Sequence, residues 1–230
     1  MAKILRPTKG TQDWRAGLAN PARHWRAGFS AMAAAQSWEA AQISDPSGLP
    51  PEIAALLGSG GALQLAIPEH RVALPGAGAD SQCDVFALVQ AGEASVALTV
   101  EAKVDEAFGP TIGTWLAEDK DNKRERLAAL CNWLGVSYPP PEPLRYQLFH
   151  RSAAAVAEAR RFNRPVAAMV VQSFSPTHRW IEDFEAFALH LGVQAGLGRL
   201  GRTRLPDGIE LWLGWAQGDA RFLMDLDNDG

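Results

Sequence analysis

Two runs rich in branched and apolar residues, Asp84–Gln90 (DVFALVQ) and Ser95–Val104 (SVALTVEAKV), are separated only by Ala91-Gly92-Glu93-Ala94. So short a connection, with a glycine in it, predicts an antiparallel hairpin. Side chains alternate along a strand with period two, so Val96, Leu98, Val100 and Val104 share one face and Glu101 and Lys103 share the other. A loop of four residues then sets Phe86 opposite Thr99, Leu88 opposite Ala97 and Asp84 opposite Glu101. The pattern brings Asp84, Glu101 and Lys103 together on one face.

Two neighbouring carboxylates repel, and half-buried they are costly unless a cation neutralises them. Oxygen donors without His or Cys favour Mg²⁺ or Mn²⁺ over Zn²⁺, and Mg²⁺ keeps waters that a phosphate can displace. Asp84 and Glu101 are the expected metal ligands. Lys103 would then orient a nucleophile or stabilise charge on a phosphate. The competing reading is a cross-strand salt-bridge cluster at the end of a sheet.

The rest of the chain sets this hairpin in an α/β protein. Pro50 and Pro51 and the Gly58–Gly61 cluster bracket a short helix, and Arg23–Ala41 is expected as a longer one before it. After the hairpin come helices over Asp119–Leu134, ended by Gly135, and Leu144–Phe162. A buried-type strand follows at Val166–Phe174, then a helix at Ile181–Leu191 and a last strand at Ile209–Trp215. With no repeat visible, the 230 residues are expected as a single domain with a mixed β-sheet flanked by helices. The run Pro139-Pro140-Pro141 links its two halves.

A chain of this length buries roughly 70% of its unfolded surface, so it needs no metal or disulfide for stability. Its two cysteines, 48 residues apart, fit no zinc or disulfide framework. No apolar run approaches a membrane span, and the first ten residues lack the apolar stretch of a signal peptide, so a cytoplasmic protein without membrane association is expected. The 22 basic and 26 acidic residues give a net charge of −4, which argues against indiscriminate coating of nucleic acid. Basic charge is nevertheless concentrated in two places, residues 1–26 and 144–164.

The spacing of Asp84 and Glu101-Ala102-Lys103 on adjoining strands resembles the signature of the PD-(D/E)XK nuclease superfamily, the restriction-endonuclease-like fold. The surrounding residues are similar to an uncharacterised bacterial domain family of that type: Pro75-Gly76, Ser81-Gln82-Cys83-Asp84, the run from Val100 to Pro110 leading to Trp115, and Tyr146-Gln147-Leu148-Phe149-His150-Arg151. The resemblance covers residues 28–230, after a basic segment at 1–27. It implies an αβββαβ core in which Asp84 and Glu101 hold Mg²⁺ (or Mn²⁺) and Lys103 assists hydrolysis of a DNA or RNA phosphodiester. Cys83 stands where the superfamily's motif has proline. Many members add an acid from the first helix; Glu39 is the candidate, with Glu52 and Glu69 competing.

Gln147, His150 and Arg151 stand at i, i+3 and i+4 and share a helix face distinct from Leu144, Leu148 and Ala155. An amide and a guanidinium there resemble the helix that flanks the active site in some relatives of the superfamily, where such groups hold phosphate oxygens. Asp105 shares strand parity with Glu101, and Glu106 precedes the Phe108-Gly109-Pro110 turn. Gly196-x-Gly198-x-x-Gly201 fits a dinucleotide pattern but cannot begin the required helix, and reads as a flexible loop with three arginines. A metal-dependent nuclease is thus one expectation. A non-catalytic nucleic-acid-binding or protein-interaction module that keeps the fold is the other.

Overall fold

The computed structural model describes residues 8–58, 60–118 and 120–226. The elements run α1 (Gln12–Arg15), α2 (Pro21–His24), α3 (Ser30–Ser44), α4 (Pro51–Leu57), β1 (Ala62–Val72), β2 (Ser81–Ala91), β3 (Ala94–Lys103), α5 (Ile112–Leu116) and α6 (Asp121–Leu134). Then follow α7 (Tyr146–Arg161), β4 (Val166–Ser173), α8 (Ile181–His190), β5 (Gly201–Arg204), β6 (Glu210–Gln217) and a 3₁₀ turn at Ala220–Leu223. Six strands form one open mixed sheet in the order β1-β2-β3-β4-β6-β5. The first three are antiparallel, β4 is parallel to β3 and β6 to β4, and β5 runs antiparallel to β6.

Alternation along the strands divides the core into two layers. Val96, Leu98 and Val100 of β3 pack with Val85, Val170, Trp38 of α3 and Ile53 of α4. On the other face, Phe86, Ala97, Met169 and Leu213 pack with Leu127 of α6, Leu148 and Phe149 of α7 and Phe187 of α8. Strand β4, central and flanked by parallel partners, is buried on both faces along its whole length. Removing one of the large aromatic anchors, such as Phe149 at 0% exposure, would cost about 3–5 kcal/mol. Gly214 of β6 permits the close approach of α4, since a Cβ there would lie 2.5 Å from Leu56 Cδ2.

The hairpin forms in the expected register, with Phe86 opposite Thr99 and Leu88 opposite Ala97. Pairing extends one step further, to Ala91 opposite Ala94, leaving a turn of Gly92 and Glu93 with Gly92 at φ 58°. Glycine takes that conformation without strain.

Elsewhere the structure departs from the reading of the sequence. The helix expected from Arg23 is interrupted: Gly28 at φ 81° separates α2 from α3. Residues 62–72 form a strand although Pro68-Glu69-His70-Arg71 disrupt a strand-like pattern; β1 lies at the sheet edge, where a proline breaks no essential ladder bond. The arginine-bearing segment is ordered: Gly196–Arg199 close a tight turn and Gly201–Arg204 pair with β6. Helix α6 begins at Asp121, the expected start at Asp119 lying outside the described residues, and Gly135 ends it in the left-handed conformation at φ 70°. The first seven residues of the basic N-terminal segment also lie outside the described residues. Among the described residues no helix is long and apolar enough to cross a membrane.

Candidate active site

Strands β2 and β3 part at the point where the acidic residues stand. Their ladder runs as far as Val85 opposite Val100; beyond it, the Asp84 carboxylate itself accepts the Ala102 N–H at 2.6 Å. A side chain here takes a bond that a continued ladder would give to a backbone carbonyl. Glu101 is buried, with 3% exposure, on the face covered by α7. Lys103 Nζ donates to its Oε1 at 2.6 Å, and Gln147 Nε2 donates to the same oxygen at 2.6 Å. Arg151 Nε donates to Oε2.

The polar face of α7 is therefore turned inward onto the sheet. Gln147 and Arg151 meet Glu101, while His150 Nδ1 lies 2.9 Å from Ser81 Oγ, which also accepts from Arg151 Nη1 at 2.8 Å. Thr99 Oγ1 reaches the Arg151 carbonyl at 3.4 Å, pinning the helix over the strand. With Nε and Nη1 engaged internally, Arg151 chiefly positions Glu101.

Three carboxyls respond differently to this environment. Burial would raise Glu101, but the Arg151 and Lys103 charges outweigh it and hold the group at about 2. Asp84 is held well above the usual carboxylate range, first by burial and then by the charges of Glu101 and Glu69. Burial pushes Glu69 up to about 7, against a hydrogen bond from Gln82 and with Glu101 adding to the rise. Burial and the adjacent Arg151 keep His150 neutral, well below its ordinary value.

Glu69, not Glu39, is the acid that stands beside Asp84. Its neighbours Pro68 and His70 pair with Val85 and Cys83, so Glu69 falls opposite Asp84 on the adjoining strand. It adopts φ 53°, unusual for a residue with a side chain, and accepts from Gln82 Nε2 at 2.7 Å. Glu39 lies on α3, which packs on the opposite face of the sheet, and its Oε1 accepts from Thr8 Oγ1 at 2.6 Å and Trp14 Nε1 at 2.7 Å. Glu52 of α4 also belongs to that face, where Gln172 Nε2 donates to it at 2.6 Å. Asp105 is exposed and lies 3.9 Å from Arg179, and Glu106 accepts the Val104 N–H at 3.1 Å. The reading of the sequence missed Ser81 as the link between His150 and Arg151; its place on the same strand as Asp84 was the available signal.

The donor set suits a hard divalent cation. Asp84 and Glu69 are oxygen donors destabilised as anions, and a cation beside them would relieve both. Glu101 already has partners on each oxygen, and among the described residues no group of three His, Cys, Asp or Glu side chains is placed to hold an ion. The protein would therefore offer few ligands, Asp84 foremost, with Glu101 only by giving up a protein donor, and water would complete the shell as is usual for Mg²⁺.

The molecule is thus an open mixed α/β sheet with a carboxylate–lysine cluster where two of its strands part. The chain belongs to the family described as a domain of unknown function, DUF6946, whose profile matches residues 7–220. No curated protein and no solved structure matches it.

Proposed function

We propose that this chain is a metal-dependent phosphodiesterase acting on nucleic acid through Asp84, Glu101 and Lys103, with a restriction-endonuclease-like αβββαβ core formed by α3, β1, β2, β3, α7 and β4. The observation that carries the reading is the convergence of Lys103, at 2.6 Å, on a carboxylate beside a second carboxyl held up by burial, where β2 and β3 separate. A structural ion pair needs Lys103 and Glu101 only. Asp84 and Glu69 are carboxyls whose ionised forms this environment disfavours, and carboxyls so perturbed are characteristic of sites that receive a cation.

Mg²⁺ or Mn²⁺ at Asp84 and Glu101 would supply Lewis-acid stabilisation of charge developing on a phosphate. Lys103, buried and paired with Glu101, would orient a nucleophile or counter charge on the phosphate. Gln147 and Arg151 hold the Glu101 carboxylate in one orientation. Glu69 fills the place that a first-helix acid was expected to take.

One observation favours the non-catalytic alternative: both Glu101 oxygens are already engaged by protein donors. Calorimetric titration of Mn²⁺ separates the two readings. The catalytic reading expects saturable binding that Asp84→Asn removes. Absence of binding by the wild type, or binding untouched by Asp84→Asn, favours a module that keeps the fold without the chemistry.

A further inference from the structure

Beside the acid cluster, a cavity of about 290 Å³ opens between the 76–80 loop, α5, the first turns of α6 and the start of α7. Arg126 lines it, buried to 5% exposure. Its Nη2 donates to the Ala79 carbonyl at 2.7 Å, and the Tyr146 hydroxyl is a second neutral partner. Nε is buried with no partner. The neighbouring Arg151 and Arg145 are each paired with a carboxylate, whereas among the described residues none forms an ion pair with Arg126. Asp80, also at the cavity, is exposed and forms no such pair among the described residues.

A buried guanidinium with only neutral partners is destabilising, yet the loop is shaped to hold it. Gly76 and Gly78 adopt φ 80° and 145°; a Cβ on the first would lie 3.0 Å from Arg126 Cα, and on the second 2.7 Å from its Nη1. The chain wraps closely around a charge it does not neutralise.

The other walls narrow what the cavity can hold. Ser81 Oγ, which accepts from Arg151 Nη1, also lies 2.9 Å from His150 Nδ1, so the His150 ring is anchored at the wall of the cavity through that nitrogen. Lys123 adds a second cation, shared with Glu118 at 3.0 Å. Trp115 and Tyr146 stack on each other at 3.7 Å, with Lys123 over the Trp115 ring and His150 against Tyr146. Their faces are taken, so a flat base has nothing to stack on, while a compact group fits.

We propose that this cavity binds a tetrahedral oxyanion, phosphate or a terminal phosphomonoester, with Arg126 as its counter-charge. The assignment does not depend on catalysis, since neither Asp84 nor Glu101 lines the cavity.

Calorimetry and thermal melting of the full chain with inorganic phosphate, at ionic strength held constant with chloride, test it. Wild type should bind saturably and melt a few degrees higher. Arg126→Met should lose affinity by roughly tenfold or more, while melting no lower than wild type without phosphate, because an uncompensated buried charge is gone. Lys123→Gln should weaken binding severalfold, which keeps the test decisive if Arg126→Met does not fold. Asp84→Asn should bind phosphate as wild type does, so that loss of cleavage and loss of this site are told apart. A short oligonucleotide with and without a terminal phosphate distinguishes the two sources: preference for the phosphorylated form assigns the site to a nucleic-acid end, and equal affinity with retained phosphate binding assigns it to free phosphate. The proposal is overturned if wild type binds neither inorganic phosphate nor the phosphorylated end selectively, or if Arg126→Met, or Lys123→Gln in its place, binds like wild type.

Discussion

Glu69→Gln should stabilise the metal-free protein at alkaline pH, against the usual sign for a change at a partly buried residue. Lifting a carboxyl from 4.5 to about 7 corresponds to roughly 3 kcal/mol between its protonated and ionised forms. Because its folded value is raised, the protonated group favours the native state below about pH 4.5, and that advantage disappears as pH rises toward 7. Glu69 is half-buried, so screening reduces the effect to about 2 kcal/mol. Gln keeps an oxygen to accept from Gln82 and has no charge to repel Glu101 or Asp84. In a chain of this length about 2 kcal/mol moves the melting temperature by roughly 4–8 °C. Denaturant unfolding with EDTA at pH 5 and pH 8 is the assay. The variant should match wild type at the lower pH and exceed it at the higher, and Mg²⁺ should shrink the difference by neutralising the wild-type cluster. A variant less stable than wild type at pH 8, or a difference independent of pH, would show that the Glu69 charge does not destabilise the native state.

Other expectations follow from the same geometry. Glu101→Gln leaves Arg151 and Lys103 buried without their counter-ion and should destabilise by about 3–5 kcal/mol in chemical denaturation. Wild-type stability should also fall on acidification between about pH 4.5 and about pH 2, since the lowered Glu101 value contributes only while the group stays ionised; Glu101→Gln should lose less over that range. Lys103→Ala should abolish most cleavage while leaving Mn²⁺ affinity in calorimetry unchanged or slightly raised, because the ammonium opposes the cation.

The hairpin was legible because its two runs alternate cleanly and the connection is too short to admit another register. Extending it by the Ala91–Ala94 pair changed the turn but no face. The same regularity revealed β4, β6 and helices α6 to α8. By contrast, β1 was hidden by Pro68 and three polar residues, tolerated because it is an edge strand with only one neighbour in the sheet. That omission decided the acid: with β1 unread, nothing placed Glu69 opposite Asp84, and Glu39, on the helix before the strands, stood ahead of Glu52 and Glu69. The spacing of Gln147, His150 and Arg151 identified a shared face, but only the packing of α7 shows it turned inward onto Glu101. Arg126 gave no signal in the sequence, since its isolation depends on a loop 46 to 50 residues away.

Proposed metal-dependent hydrolysis at Asp84, Glu101 and Lys103 is tested by cleavage of single-stranded and duplex DNA and RNA by the purified chain with Mg²⁺ or Mn²⁺, beside Asp84→Asn and Lys103→Ala. Cleavage by wild type, lost in EDTA and in both variants while each remains folded, is the predicted result. Wild type that cuts none of these substrates with either ion, or cutting that survives both substitutions, would contradict the account.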